Sequence, residues 1–136
     1  MSKENFADVN GQHIFYSVHG AGKPLILLHG GIDPDSFGSN LAELAKGRQV
    51  IAVHLQAHGR TPDTDRPLRC ETMGDDVAAL IGHLKLGKAD VMGYSLGSFV
   101  ALTYGQQRVI KTWAVGHAEL PAHPTAGLAA DADGPG

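Results

Sequence analysis

The sequence predicts an α/β protein with a mainly parallel sheet of about six strands, an N-terminal antiparallel hairpin and flanking helices. Four short apolar runs of the kind that form buried strands are separated by segments with helical spacing, as is typical of parallel sheets. An Asn-Gly pair near the N-terminus separates two stretches in which apolar and polar residues alternate. Eighteen glycines among 136 residues indicate tight turns and close backbone approaches.

Length, composition and charge restrict the class of protein. The 136 residues suit one domain, and 43% hydrophobic with 18% charged residues is typical of a globular chain. A net charge of −3 without a basic run argues against nucleic-acid binding. No apolar run approaches a membrane span and Met1–Asn10 does not resemble a signal peptide, so we expect a cytoplasmic protein. The single cysteine, Cys70, excludes an intramolecular disulfide framework and any CxxC site.

The strands are predicted in chain order from their apolar patterns. The hairpin pairs the stretch ending at Val9 with the stretch Ile14–Val18, on either side of Asn10-Gly11. After it come four continuous apolar runs, each expected to be buried on both faces of the sheet. These four runs are Pro24–Leu28, Gln49–Leu55, Ala89–Met92 and Ile110–Val115.

Helical spacing links these runs. The first helix is expected over about Phe37–Lys46, ended by Gly47, and the third over about Leu96–Gln107. The resulting order, a hairpin followed by βαβαβαβ, predicts right-handed crossovers between the parallel strands.

The second helix has the clearest pattern. We predict Thr72 as its N-cap, Asp75 and Asp76 as charges that favour its positive start, and Gly87 at its end. Its apolar stripe has members at i, i+3, i+4 and i+7, namely Val77, Leu80, Ile81 and Leu84.

The C-terminal segment differs in composition from the rest of the chain. From Pro121 to Gly136 it is mostly Ala, Gly, Pro and Asp, and Leu128 is its only large apolar residue. We predict a domain over residues 1–116 and a low-complexity tail over residues 117–136. The tail is expected to be loop or disorder, or to be ordered only by a partner.

One motif carries chemistry. Gly93-Tyr94-Ser95-Leu96-Gly97 is G-x-S-x-G, and it lies between a predicted buried strand and a predicted helix. So sharp a strand-to-helix turn strains the serine and requires neighbours without side chains, a requirement that Gly93 and Gly97 meet. The serine hydroxyl is then exposed above the strand end, and the helix N-terminus favours developing negative charge there.

With this motif the sequence resembles the α/β-hydrolase family over about residues 6–105. His29-Gly30-Gly31 resembles the family's oxyanion loop, and the stretch 56–61 resembles its GHG-type loop with Ala57 in place of the first glycine. The resemblance implies Ser95 as nucleophile and the N–H groups of Leu96 and Gly31 as oxyanion donors, with Gly30 as the alternative to Gly31. We call the strand-to-helix turn of residues 93–97 the elbow. A serine rather than an aspartate at the elbow resembles the esterase, lipase and C–C-bond hydrolase branches.

The base and the acid of a catalytic triad are harder to assign. The family places its acid after strand six or seven and its histidine after strand eight, whereas this chain ends shortly after its sixth strand. We therefore expect a truncated member of the family. Of eight histidines, His117 at the end of the sixth strand is the best candidate base, ahead of His123 and His29. A residue of another subunit is a further alternative, and the acid stays open.

The function implied is a serine hydrolase of the carboxylesterase type that cleaves small short-chain esters without metal or other cofactor. The alternative is a catalytically impaired remnant that acts as a binding or assembly module. A cofactor-free haloperoxidase-like or C–C hydrolase activity would use the same site. We also expect a homo-oligomer, because a sheet that ends at the sixth strand leaves an unpaired edge near Ile110, Trp113 and Val115.

Overall fold

The computed structural model describes residues 2–30, 34, 37–87, 89–107, 111–115 and 129–131. These residues form seven strands and three helices. In chain order they are β1 (Ser2–Val9), β2 (Gln12–His19), β3 (Lys23–Leu28), α1 (Ser39–Leu44), β4 (Arg48–Val53), α2 (Cys70–His83), β5 (Asp90–Tyr94), α3 (Leu96–Gln107), β6 (Lys111–Val115) and β7 (Ala129–Asp131).

All seven strands belong to one sheet, in the order β1-β2-β4-β3-β5-β6-β7. The hairpin β1–β2 is antiparallel and turns at Asn10 (φ 52°) and Gly11 (φ 75°), the left-handed pair that a two-residue type I′ turn requires. Strands β4, β3, β5 and β6 are mutually parallel, so their carboxyl ends lie at one edge. The predicted α/β class, with a mainly parallel sheet and an N-terminal antiparallel hairpin, is confirmed.

The two faces of the sheet are covered unequally. Helices α2 and α3 pack on one face over the main core, which includes Ile26, Leu28 and Ile51. The opposite face carries a smaller cluster in which α1 covers Leu25, Leu27 and Val50. Helix α1 has six residues and none of them is buried. Among the described residues, two long helices therefore close one face and α1 partly covers the other.

The start of α2 differs from the prediction. The helix begins at Cys70 with Arg69 in the N-cap position, and Thr72 instead donates its hydroxyl to the Arg69 carbonyl at 3.0 Å. The acidic residue in its first turn is Glu71, so the interpretation of Asp75 and Asp76 as helix-start charges is wrong. Both lie further along the helix, and Asp76 faces the core, where it is 2% exposed.

The far edge of the sheet also differs from the prediction. Strand β7 pairs antiparallel with Lys111–Trp113 of β6, so the expectation of an unpaired β6 edge is wrong over these residues. Backbone N–H and C=O groups form a sheet ladder whatever the side chains, which is why a strand of sequence Ala-Ala-Asp escaped an analysis based on apolar runs. The division at residue 116 stays a prediction. Within the described ranges, no helix has the length and apolar character needed to cross a membrane.

Candidate active site

Ser95 forms the whole connection between a strand and a helix. Strand β5 ends at Tyr94 and α3 begins at Leu96. The single residue between them has φ 54°, in the left-handed region that costs a non-glycine residue about 1–3 kcal/mol. Such a conformation persists only where the surrounding structure enforces it, and Ser95 lies half-buried at the carboxyl edge of the parallel strands.

The packing around Gly93 and Gly97 enforces this turn. A Cβ atom on Gly93 would overlap the backbone carbonyl of Gly97, and one on Gly97 would overlap the carbonyl of Leu28. The Gly97 N–H also donates to the His29 carbonyl at 2.9 Å. The start of α3 is thus held directly against the end of β3. A larger residue at position 97 would separate α3 from β3, and one at position 93 would separate α3 from β5.

The first turn of α3 leaves one amide group available. The N–H of Gly97 donates to His29, and the N–H groups of Ser98 and Phe99 donate to the Ser95 carbonyl at 2.9 and 3.3 Å. The N–H of Leu96, the first residue of the helix, has no acceptor within the helix. It lies next to Ser95 at the positive end of the helix dipole, which suits a donor to developing negative charge.

The loop after β3 lies beside this elbow. His29 is 1% exposed; its Nε2 accepts the Leu55 N–H at 2.9 Å, so its Nδ1 carries the proton and bonds the Gly30 carbonyl at 2.5 Å. A Cβ on Gly30 would lie 3.1 Å from the Tyr94 ring and 3.6 Å from the Ser95 Cβ. Gly30 therefore borders the nucleophile, while Gly31, the predicted second oxyanion donor, lies outside the described residues.

The loop that follows β4 is held by its own histidines. His54 accepts the Arg60 N–H on Nδ1 at 2.9 Å, and the Nδ1 of His58 bonds the Gln56 carbonyl at 2.7 Å. Ala57, at the position where the family pattern has glycine, has φ 66° and is therefore left-handed. A side chain thus occupies a backbone conformation that favours glycine.

Five histidines of the described residues make ring hydrogen bonds with groups other than the Ser95 hydroxyl. The ring bonds of His29, His54 and His58 given above all join main-chain groups and do not reach the Ser95 hydroxyl. His13 pairs with Asp8 at 2.6 Å, and the Nε2 of His19 bonds the Ser17 hydroxyl at 2.8 Å. His117 and His123, the first two candidate bases, lie outside the described residues.

A buried ion pair beneath the β4–α2 loop was missed by the sequence analysis. Arg66 bonds both carboxylate oxygens of Asp76, and its Nε donates to the Gln56 side chain at 2.7 Å. Burial raises the pKa of Asp76 above its ordinary value, and the Arg66 guanidinium acts in the opposite direction. The available signal was an acidic residue three positions after Met73 and four before Leu80, within the buried side of α2.

An apolar cavity opens on the α1 side of the elbow. It has a volume of about 600 Å³. Gly93 and Tyr94, the two residues before Ser95, form one wall with Met92, and α1 forms the other. The Tyr94 side chain is 45% exposed there, so an aromatic ring borders both the cavity and the nucleophile turn. The remaining lining residues are Phe37, Asn40, Glu43 and Leu44.

Comparison with known proteins identifies the class. The family profile described as the alpha/beta hydrolase fold matches residues 23–116. The epoxide hydrolase of Vigna radiata superposes with a TM-score of 0.81 at 22% identity, over 90% of this chain and 42% of that one. The enol-lactonase of Burkholderia xenovorans LB400 superposes with a TM-score of 0.77 at 23% identity, over 83% and 47%. The chain belongs to the α/β-hydrolase family and has its fold.

Relatives in sequence have several named activities. The chain is 33% identical to the sn-1-specific diacylglycerol lipase ABHD11 of Danio rerio over 110 residues, 75% of this chain and 33% of the relative. It is 35% identical to the soluble epoxide hydrolase of Corynebacterium sp. (strain C12) over 104 residues, 72% and 35%. It is 31% identical to the non-heme haloperoxidase of Rhodococcus erythropolis over 113 residues, 79% and 41%. The chain spans about a third to two-fifths of the length of these relatives.

Proposed function

We propose that this chain is a serine hydrolase of the carboxylesterase type, which cleaves small short-chain esters through Ser95. The observation that carries the proposal is the left-handed Ser95 between β5 and α3, with the Leu96 N–H, which has no acceptor within the helix, directly beyond it. A hydrolase function is supported by the family and by relatives that include a lipase and an epoxide hydrolase.

The reaction follows from the groups at the elbow. The Ser95 oxygen attacks the ester carbonyl while a base takes its proton, and the carbonyl oxygen becomes an oxyanion. The Leu96 N–H, with the proposed Gly31 N–H as second donor, stabilises that charge. Collapse expels the alcohol and leaves an acyl group on Ser95, and water then releases the acid. An aspartate at the elbow would form an alkyl ester with an epoxide instead, whereas a serine hydroxyl forms an acyl ester.

The cavity beside Tyr94 favours a substrate with a small acyl group. Its volume of about 600 Å³ is in the range of small-molecule pockets, and Phe37, Leu44 and Met92 give it an apolar wall. An acyl chain bound to Ser95 would enter between Tyr94 and α1. The polar ends of Asn40 and Glu43 line the same opening, which favours a short chain over a long one.

The test is reaction of Ser95 with a fluorophosphonate and hydrolysis of p-nitrophenyl acetate. We expect Ser95→Ala to abolish labelling and nearly all hydrolysis while the circular dichroism spectrum stays unchanged. Ser17→Ala is the matched control, because the Ser17 hydroxyl bonds a histidine ring but lies within strand β2, away from any helix N-terminus. Hydrolysis by Ser95→Ala within a few-fold of the parent would show that ester cleavage does not depend on this residue.

His117 remains the proposed base, and the same assay measures its contribution to the rate of ester hydrolysis. General-base assistance is worth about 10²–10⁴-fold, so His117→Ala should lower turnover by a factor in that range and His123→Ala by less. Equal small losses in both variants would point to a base from elsewhere.

A second candidate is a binding or assembly module that keeps the fold without turnover. One observation favours it: the hydrogen bonds that the rings of His29, His54 and His58 make with main-chain groups do not involve the Ser95 hydroxyl. A protein that folds, binds small esters in the cavity and does not react with the fluorophosphonate would be this module.

A further inference from the structure

The Ser95 carbonyl accepts hydrogen bonds from three donors. The N–H groups of Ser98 and Phe99 donate to it at 2.9 and 3.3 Å, and the Ser98 hydroxyl donates to it at 2.5 Å. Ser98 itself is fully buried (0% exposed), so water cannot replace its hydroxyl. Three donors therefore fix the direction of this one carbonyl.

That carbonyl belongs to the same peptide unit as the Leu96 N–H. A trans peptide is planar, and its C=O and N–H point in opposite directions. Holding the Ser95 oxygen toward Ser98 thus aims the Leu96 N–H out of the helix, toward the space beside the Ser95 side chain. Donors to a carbonyl also polarise the N–H of the same peptide, which strengthens it as a donor.

We propose that Ser98 is a positioning residue for the oxyanion donor of Leu96: its buried hydroxyl clamps the Ser95 carbonyl and so orients and polarises the Leu96 N–H. This inference rests on the proposed function, because an oxyanion forms only if Ser95 attacks a carbonyl or phosphonyl centre. Ser98 does not touch the substrate, and its effect passes entirely through the peptide between Ser95 and Leu96.

The same helix contains an equivalent bond without this connection. One turn further on, the Thr103 hydroxyl donates to the Phe99 carbonyl at 2.9 Å. Hydroxyl donation to a carbonyl of the preceding turn is a common helical contact and is neutral or slightly unfavourable for stability. Thr103→Val therefore removes a bond of the same kind from the same helix but leaves the Leu96 peptide unchanged, and it is the matched control.

The experiment compares Ser98→Ala with Thr103→Val for fluorophosphonate labelling and for kcat and KM on p-nitrophenyl acetate. Loss of an entire oxyanion donor costs about 10²–10³-fold, so weakening one should lower the labelling rate and kcat about tenfold. KM should stay within twofold, because the effect is confined to the transition state. Ser98→Cys, which keeps the size of the side chain but is a weak donor, should fall between the parent and Ser98→Ala.

A second readout does not need catalysis. In nuclear magnetic resonance spectra the Leu96 amide proton should move upfield in Ser98→Ala and stay in place in Thr103→Val. Equal kinetics and equal Leu96 shifts in the two variants would overturn the role of Ser98. A parent protein that is not labelled at all overturns the proposed function instead. The chemical shift of the Leu96 amide proton then tests by itself whether Ser98 orients and polarises the Leu96 N–H. If Ser98→Ala does not fold, Ser98→Cys carries the same comparison.

Discussion

Four residues other than glycine have a positive φ, and each lies where the chain reverses or turns sharply: Asn10, Ala57, Lys85 and Ser95, within the part of the chain that the structure describes. Asn10 adopts a positive φ at low cost, because a short polar side chain can hydrogen-bond with the nearby backbone. Ser95 is held there by the glycines on either side. Ala57 has neither a side chain that lowers the cost of this conformation nor a chemical role in the proposed mechanism. Its strain therefore has no functional explanation.

The strain at Ala57 gives a prediction about stability. The left-handed region costs a residue with a Cβ about 1–2 kcal/mol, and the greater freedom of glycine in the unfolded chain offsets part of the gain. We expect Ala57→Gly to raise the free energy of unfolding by about 0.5–1 kcal/mol, measured by urea denaturation. Ala42→Gly, an exposed position within α1, should lower it by about 1 kcal/mol. Equal losses in both variants would contradict this account of Ala57.

At the scale of elements, one ion pair joins the β4–α2 loop to helix α2. The Arg66 side chain is 23% exposed and that of Asp76 is 3% exposed. The Asn10 side chain also donates to Asp76, at 3.4 Å, so the hairpin turn joins the same contact. Three elements that are separate in sequence thus meet at one carboxylate, which fixes the loop that carries the glycine pattern.

Removing the arginine leaves this buried carboxylate without its partner. We expect Arg66→Met to lower the free energy of unfolding at pH 7 by about 3–5 kcal/mol. Arg69→Met is the control, because Arg69 and Glu71 are both 63% exposed and 3.9 Å apart, and such surface pairs contribute about 0–1 kcal/mol. Losses of the same size in the two variants would mean that the Arg66 pair is no stronger than a surface pair.

The cost of Arg66→Met should depend on pH in a defined direction. Burial raises the pKa of Asp76 above 3.8, and loss of Arg66 removes an effect that lowers it, so the pKa rises further in the variant. A carboxyl group with a raised pKa in the folded state destabilises the fold as pH rises above the unfolded value. The difference in unfolding free energy between parent and variant should therefore shrink from pH 7 to pH 4.

The elements and the elbow were predictable, and the contacts around them were not. Apolar runs identified β3, β4, β5 and β6 to within about two residues, because burial on both faces demands them. The prediction of Thr72 as the N-cap of α2 was wrong. Arg69 holds that position in extended backbone at φ −137°, and no side chain caps the helix. The Arg66–Asp76 pair and the Ser98 clamp depend on tertiary distances, which a pattern of residue types does not contain.

The position of Ser95 illustrates the same division. The motif and its strand–helix setting predict a strained serine from sequence, because only glycine fits on either side. The base is different: a histidine can reach the elbow from several loops, and sequence separation does not determine which one does. His117 and His123 therefore remain predictions, whereas the main-chain bonds of His29 show why that ring is not free.

At the scale of the whole molecule, we predict self-association from the uneven covering of the sheet by the described residues. Parallel strands are normally buried on both faces, yet α1 is the described helix on one face and a cavity opens on each side of it, of about 600 and 530 Å³. Strand β7 removes the argument from an open β6 edge, so the expectation of a homo-oligomer now rests on this face.

Light scattering at micromolar concentration tests that expectation, and we predict a mass above that of one chain. Asn40→Arg should shift the protein toward the monomer, because Asn40 is exposed on α1 and lines the larger cavity. Ala42→Arg is the matched control, exposed on the same helix but absent from the lining of that cavity. A parent protein that is monomeric and active would refute the homo-oligomer.

The contact between Gly97 and the end of β3 also has a consequence for the order of steps in folding. It joins two parts of the chain that are far apart in sequence, and such contacts close a large loop before they contribute stability, so they form late in folding. Until β3, β5 and α3 have come together, nothing holds Ser95 in its left-handed conformation, and it relaxes to an ordinary extended or helical one. Under the proposed function, we therefore expect a chain that is only partly folded to carry an unreactive serine. The packing that strains Ser95 would then also delay the proposed reaction until β3, β5 and α3 have assembled.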